Sequence, residues 1–236
     1  VQLIPTLELA RLSQRGGGLD PDYFTSFSFR PSYLVSLVHP FILGNPYPNV
    51  SVELASYVGM VPLVLALVAL ILRRSARTYF FAGMAAAGLW MAFGRWNVLY
   101  VKLVSIPGFN LFRVPARFLY LFVFAAAVLA ALGLDALAER GSSAPSPTRG
   151  KVLAGLALMA IAVGGVSVEH LFSLERLLAI WQYLPLVLLL AGLGLMAAFH
   201  RGYLGGWTFA APLVGIVLFD LYAYAAVYNQ TYNATI

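Results

Sequence analysis

The sequence predicts an all-α protein: a polytopic transmembrane helix bundle with about six full spans and short interfacial helices on the outer face. The first observation is composition. Hydrophobic residues make up 61% of the 236 residues and charged residues only 10%, whereas a soluble domain carries about 25% charged residues. A chain with so few charges could not cover its own surface in water. We therefore expect it to lie in a membrane, with membrane lipids as its surroundings.

The second observation is the length of the apolar segments, since a spanning helix needs about 17–25 mostly apolar residues. Six segments qualify as spans. They are Leu54–Leu72, Thr78–Gly94, Ala116–Leu137, Val152–Val168, Leu178–Phe199 and Trp207–Val227. The second and fourth are short and contain many small residues, which allow helices to approach closely in lipid.

The third observation is the placement of basic residues in three short connections, 73–77, 139–151 and 200–206. Basic residues concentrate in cytoplasmic loops, so we expect these connections on the cytoplasmic side of the membrane and both chain ends on the outer face. The net charge of +6 then reports orientation and headgroup contact, and we expect no nucleic-acid partner. The chain contains no cysteine, which excludes disulfides and thiol chemistry.

The spans divide the chain into three parts. Residues 1–51 form an outer-face loop and interfacial helix that follow a helix end, 52–228 form the six-span bundle, and 229–236 form an outer-face tail. Because the chain starts at Val1 in what resembles the tail of a helix, we expect it to be the central piece of a longer protein.

Two outer segments read as short helices lying in the membrane interface. In PSYLVSLVHPFIL (31–43), Pro31 suits a helix start and Pro40 a helix end. The second segment is NVLYVKLVSIPGF (97–109).

The stretch LFRVPARFLYLF (111–122) places Arg113 and Arg117 around Pro115, at the predicted outer end of the third span. Proline fits a first helical turn, and two cations at a helix N-terminus are unfavourable unless an anion lies between them. Three anions are candidates: an ordinary lipid headgroup, a carboxylate of the protein, or the phosphate of a lipid-linked substrate, since a guanidinium group suits phosphate and carboxylate alike.

Asp220 lies 13 residues into the last predicted span, in VLFDLYAYAAVYN. A carboxyl group at that depth should face the bundle interior and have a partner. Asp220 and Tyr224, which follows one turn later, are candidate pocket residues. Asp220 could be a pocket acid, a counter-ion to Arg113 or Arg117, or a structural hydrogen-bond anchor.

Two further polar residues on the outer side are possible pocket residues, His39 and Glu53. His39 could transfer a proton or bind substrate, although a lone histidine beside a proline is more often structural. Glu53, in the first turn of the first full span, is explained by the helix dipole alone. No spacing predicts a metal site or an organic cofactor, and the residues alone do not assign a catalytic side chain.

Several blocks together resemble the central part of the bacterial YfhO-type membrane proteins of the glycosyltransferase C superfamily. They are QLIPTLELARLSQRGG (2–17), SLVHPFILGN (36–45), YVGMVPLVLALVAL (57–70), the long block from LYVKLVSIPGFNLFRVPARF to LGLDAL (99–137), and FDLYAYAAVYN (219–229). The block FRVPARF is the most specific of these, and the resemblance covers nearly the whole chain.

The resemblance implies an enzyme that takes a sugar from a polyprenyl-phosphate carrier, its donor substrate, and transfers it to a cell-envelope acceptor on the outer face. Arg113 and Arg117 would then bind the carrier phosphate. The acidic catalytic residue of such enzymes lies in a first outer loop, so the catalytic acid/base loop is expected outside this chain. Two alternatives remain open: a non-catalytic membrane subunit of a larger assembly, and a transporter or flippase for a lipid-linked anion.

Overall fold

The computed structural model describes residues 3–12, 20–40, 52–106, 109, 113–140 and 183–228. These residues are helical or irregular, and no strand occurs among them. The helices are α1 (Leu3–Leu12), α2 (Pro21–Phe24), α3 (Met60–Leu72), α4 (Ala76–Ala92), α5 (Val98–Lys102), α6 (Leu119–Arg140), α7 (Leu184–His200) and α8 (Trp207–Tyr228). Short 3₁₀ segments occupy Pro31–Leu37, Val52–Leu54, Gly94–Trp96, Leu103–Ser105 and Pro115–Phe118.

The centre of the fold is the packing of α3 against α6, and α4 also packs along α6. The apolar side chains of α3 divide between its neighbours: Val61 and Leu65 pack with Ala130 of α6, and Met60 and Val64 pack with Leu189 of α7. Helix α3 therefore lies between α6 and the α7–α8 pair.

Small residues permit the close contacts between these helices. A Cβ atom at Gly133 of α6 would overlap the backbone carbonyl of Leu65 in α3, and one at Gly88 of α4 would lie 2.8 Å from the carbonyl oxygen of Phe118. Both glycines are needed for contact rather than for backbone conformation, in agreement with the role of small residues between apolar helices.

The prediction of about six full spans is wrong. Among the described residues, two helices are long and apolar enough to cross a membrane, Pro115–Glu139 and Trp207–Ala226. They correspond to the third and sixth predicted spans. The fourth predicted span, Val152–Val168, lies outside the described residues, as do residues 178–182 of the fifth.

The remaining predicted spans form helices at or below the lower end of the range of about 17–25 residues that spans a hydrocarbon core of about 30 Å. Helices α4 and α7 have 17 residues each, about 26 Å at 1.5 Å per residue. Helix α3 has 13 residues, about 20 Å by the same rise. The apolar run Leu54–Leu72 suggested a longer helix, but residues 55–59 are not helical.

The cause of this interruption is Gly59, the N-cap of α3, which has φ +91° and ψ 146°. That conformation is essentially restricted to glycine. A hydropathy pattern counts apolar side chains and does not detect a backbone that leaves the helix within an apolar run.

The short elements gather at one end of α3, α4 and α6. Phe29, just before Pro31–Leu37, is fully buried against Ala92 at the end of α4 and Leu119 at the start of α6. Its backbone N–H donates to the carbonyl oxygen of Ala92 at 2.9 Å. We call the elements in 20–40, 52–59, 93–106, 109 and 113–118 that cover this end of the helices the cap.

Replacing Gly133 by alanine should lower the free energy of unfolding by about 1–3 kcal/mol, because the added methyl group overpacks the α3–α6 contact. Gly83 of α4 is the matched control, since a Cβ there meets nothing within 4 Å. Gly83→Ala should be neutral or stabilising by up to about 1 kcal/mol through helix propensity. Thermal unfolding of the two variants in one detergent measures both effects, and equal stabilities would contradict the described contact.

Candidate functional site

The candidate site is the junction where the cap meets the start of α6. Helix α6 is preceded by the 3₁₀ segment Pro115–Phe118, and Val114, directly before it, has φ +70°. Phe27 has φ +57° and accepts a backbone hydrogen bond from Ala116 at 3.3 Å. Left-handed backbone at two bulky residues is costly and often marks functional positions. The two strained residues, Phe27 and Val114, therefore lie at the same junction, which makes it a candidate functional position.

Packing holds this strained backbone in place. Val114 is 2% exposed and contacts the buried cluster that includes Phe29 and Leu119. Gly94, with φ +47°, lies so close that a Cβ atom there would overlap Pro115 and Ser28. A glycine at 94 is therefore required both by its conformation and by its contact with Pro115.

Arg113 is held by Tyr23 of α2. The centre of its guanidinium group lies 5.0 Å from the centroid of the tyrosine ring, and its Nη1 donates a hydrogen bond to the phenolic oxygen. Among the described residues, no carboxylate forms an ion pair with Arg113. The positive charge of Arg113 is thus oriented by an aromatic partner and is not neutralised by one of these residues.

Arg117 has a different partner from Arg113. Its Nη2 donates to Oε1 of Glu53 at 2.9 Å, and the side chains of Arg117 and Glu53 are 60% and 31% exposed. The anion beside Arg117 is therefore a carboxylate of the protein, one of the three candidates that the sequence left open. An exposed pair of this kind contributes about 0–1 kcal/mol to stability.

The sequence analysis did not select Tyr23, nor the two residues that complete the junction, Asp22 and Arg95. Arg95 Nη2 lies 2.9 Å from Oδ1 of Asp22, and its backbone N–H donates to Ser28 Oγ at 2.8 Å. Asp20-Pro21-Asp22 has the pattern of a helix start, which could have indicated an ordered element near Tyr23. Together, Arg95 and Arg113 hold consecutive residues of α2. We call Asp22, Tyr23, Glu53, Arg95, Arg113 and Arg117 the arginine junction.

An aromatic cluster packs against Phe24, the last residue of α2. The ring of Phe24 is fully buried and stacks on Tyr100 of α5 at a centroid distance of 5.0 Å, with Phe109 and Phe118 at the edges. Burial raises the pKa of Tyr100 to about 12. Tyr100 therefore remains neutral at physiological pH and adds no negative charge near the arginines.

Asp220 does not join the arginine junction. Its carboxyl group is 3% exposed and accepts hydrogen bonds from the Tyr57 hydroxyl at 2.9 and 3.0 Å and from the Met60 backbone N–H at 3.1 Å. Burial, followed by the nearby Asp220 carboxyl group, raises the pKa of Tyr57, so its hydroxyl stays protonated as a donor. Of the roles that the sequence left open, this geometry is that of a hydrogen-bond anchor.

The other predicted pocket residues lie at different places in the cap and bundle. The ring of Tyr224 packs against Tyr57, with centroids 5.0 Å apart, so Tyr224 belongs with Asp220. His39 is 5% exposed and follows Pro31–Leu37, where its backbone N–H donates to the carbonyl oxygen of Val35 at 2.9 Å. In the part of the chain that the structure describes, no cluster of three or more His, Asp or Glu side chains could hold a metal ion.

Comparisons of the chain with protein-family models, curated proteins and solved structures give no match. The similarity to YfhO-type proteins therefore stays a prediction that depends on the sequence blocks quoted above. The geometry by itself defines an all-helical protein with an arginine junction at one end of its central helices.

Replacing Tyr57 by phenylalanine should lower the free energy of unfolding by about 1–3 kcal/mol, because the buried Asp220 carboxyl group loses its side-chain donor. Tyr222 of α8, the helix that carries Asp220, is 71% exposed and serves as the control. Tyr222→Phe should change the free energy of unfolding by less than about 0.5 kcal/mol. Chemical unfolding of both variants in detergent measures the difference. A Tyr57→Phe variant as stable as the control would mean that the buried hydrogen bonds do not contribute.

Proposed function

We propose that the protein is a membrane protein whose arginine junction binds the phosphate group of a lipid, and that this lipid is a polyprenyl-phosphate sugar used in glycosyl transfer. The observation that carries the proposal is Arg113, a guanidinium group oriented on Tyr23 at the start of a helix long and apolar enough to cross a membrane.

Exposed apolar surface supports the membrane part of the proposal. Only 39% of the apolar stretch in Pro115–Glu139 and 22% of that in Trp207–Ala226 is buried within the protein. Large side chains such as Tyr120, Phe124 and Leu218 are 59–72% exposed. A core helix of a soluble protein is mostly buried, whereas lipid covers apolar side chains of this kind. This exposed surface supports a membrane location, and we propose the bacterial plasma membrane because the sequence blocks resemble YfhO-type proteins.

The chemistry of Arg113 supports the phosphate part. A guanidinium group that stacks on an aromatic ring keeps in-plane N–H donors for a bidentate contact with phosphate. Tyr23 and Trp96 are 45% and 55% exposed, and such residues are typical of the membrane–water interface. The arginine junction would then meet lipid phosphates at the depth where they occur.

In the proposed reaction, the bond between the sugar anomeric carbon and the carrier phosphate oxygen breaks. A bond forms between that carbon and an acceptor hydroxyl oxygen. The hydroxyl proton goes to a general base that we do not assign to a residue of this chain. The leaving polyprenyl phosphate gains negative charge, and Arg113 would stabilise that charge through preorganised hydrogen bonds.

A second candidate is a non-catalytic membrane subunit of a larger assembly, and the ion pairs of the junction favour it. Arg95 and Arg117 are each paired with a carboxylate at 2.9 Å. These arginines fasten α2 and Val52–Leu54 to the ends of α4 and α6, a purely structural role.

The binding test uses the full chain in nanodiscs of phosphatidylcholine, titrated with farnesyl phosphate, farnesol or inorganic phosphate and followed by native mass spectrometry. We expect farnesyl phosphate to bind and the other two ligands to bind far more weakly. Arg113→Ala should weaken binding by about tenfold or more, because one charge-assisted hydrogen bond contributes about 1.5–3 kcal/mol. Arg77, an exposed arginine at the other end of α4, is the matched control, and Arg77→Ala should bind as the wild type does.

Two further experiments test which lipid binds and whether the protein is an enzyme or a non-catalytic subunit. Nanodiscs that contain phosphatidylglycerol test whether any anionic headgroup competes with farnesyl phosphate, which would contradict the isoprenoid part of the proposal. Release of polyprenyl phosphate from a polyprenyl-phosphate sugar, with isolated cell envelope as acceptor, distinguishes the enzyme from the subunit. Binding that Arg113→Ala leaves unchanged would remove the arginine from the proposal.

A further inference from the structure

Residues 52–59 form a strap that lies between two helices, consisting of the turn Val52–Leu54 and the non-helical residues 55–59. On the α6 side, Leu54 packs against the cluster that includes Val114 and Leu119. Four residues later, Val58 packs with Phe122 and Ala126 of α6. The strap therefore follows the first turns of α6.

The opposite side of the strap faces α8. Tyr57, next to Val58, packs in a different cluster from Val58, and its single hydroxyl proton is shared between the two carboxyl oxygens of Asp220. Asp220 also accepts from Met60 N–H, directly after the strap. A Cβ atom at Gly59 would lie 3.2 Å from Oδ2 of Asp220, a tight contact, and the φ of +91° at this position disfavours any other residue.

The strap also carries Glu53, the partner of Arg117. Tyr57 follows Glu53 by four residues, a separation of at most about 14 Å along an extended chain. One short segment thus has a buried attachment to α8 near its end and an exposed ion pair with Arg117 near its start.

We propose that Asp220 is a positioning residue: through Tyr57 and Met60 it holds the strap in the place where Glu53 neutralises Arg117. This inference rests on the proposed function in one respect: the anion that competes with Glu53 for Arg117 is taken to be a lipid phosphate. A lipid phosphate must displace the Glu53 carboxylate to reach Arg117 fully. Releasing the strap from Asp220 lets Glu53 move away, so such variants should bind phosphate more tightly than the wild type. Simple damage to the fold would weaken binding, which is the opposite sign.

The experiment compares Tyr57→Phe and Asp220→Ala with Glu53→Gln, each in the full chain in phosphatidylcholine nanodiscs with farnesyl phosphate as probe. Tyr57→Phe is the milder variant if Asp220→Ala does not fold, and Tyr222→Phe is the control. We expect Glu53→Gln and Tyr57→Phe each to tighten binding by up to about fivefold, the factor that matches the strength of an exposed ion pair. A double variant that combines Glu53→Gln with Tyr57→Phe should bind farnesyl phosphate no more tightly than Glu53→Gln alone. Both changes act through the Glu53 carboxylate, so their effects should not add.

A second measurement does not depend on lipid binding. The chain has no cysteine, so Ala55→Cys places a single thiol at a partly buried position of the strap. We expect Tyr57→Phe and Asp220→Ala to raise the rate of maleimide labelling at this thiol, and Tyr222→Phe to leave the rate unchanged.

The outcomes separate the two proposals. If farnesyl phosphate does not bind the wild type, the proposed function fails and the labelling rate alone decides the role of Asp220. Unchanged labelling in Tyr57→Phe overturns the inference, as does weaker binding or additive tightening in the double variant. Faster labelling with non-additive tightening supports it.

Discussion

The hydrogen bonds to the Asp220 carboxyl group determine how the helices of this protein meet. Helix α3 begins without a side-chain cap of its own, because its N-cap residue is glycine. Asp220 supplies the missing acceptor from another helix by binding the Met60 N–H, and such capping contacts are worth about 1 kcal/mol even in local form. Here the contact also ties α8 to the point where the strap becomes α3.

The strap is also attached to the arginine junction, where Glu53 pairs with Arg117. The three arginines of this junction differ in how their charge is balanced. Arg95 and Arg117 have carboxylate partners, whereas Arg113 is paired with an aromatic ring. The difference matters because an exposed ion pair adds little stability but cancels a charge. The ring of Tyr23 orients Arg113 without cancelling its charge. Among the described residues, the junction therefore combines two ion pairs with one guanidinium group that has an aromatic partner.

The sequence predicted those parts of the molecule that depend on neighbouring residues. Pro115 indicated where the helix of the third predicted span begins, and the two arginines around it indicated a need for an anion or another stabilising partner. The identity of each partner could not be predicted, since Tyr23 and Glu53 lie 90 and 64 positions from their arginines and local spacing does not encode such distant contacts. The prediction of about six full spans was wrong for a related reason. The apolar run 54–72 was predicted as one full span, but its α-helix begins only after Gly59, where the Asp220 carboxyl group accepts the Met60 N–H.

Close contact between α3 and α6 at Gly133 has a consequence for how the protein can change shape. Sliding α6 by one turn along α3 would bring Leu129 or Leu137 to the position where the carbonyl of Leu65 now meets a glycine. Neither leucine fits there, so the register of this helix pair is locked against one-turn steps. We therefore expect helices α3 and α6 to move as a unit.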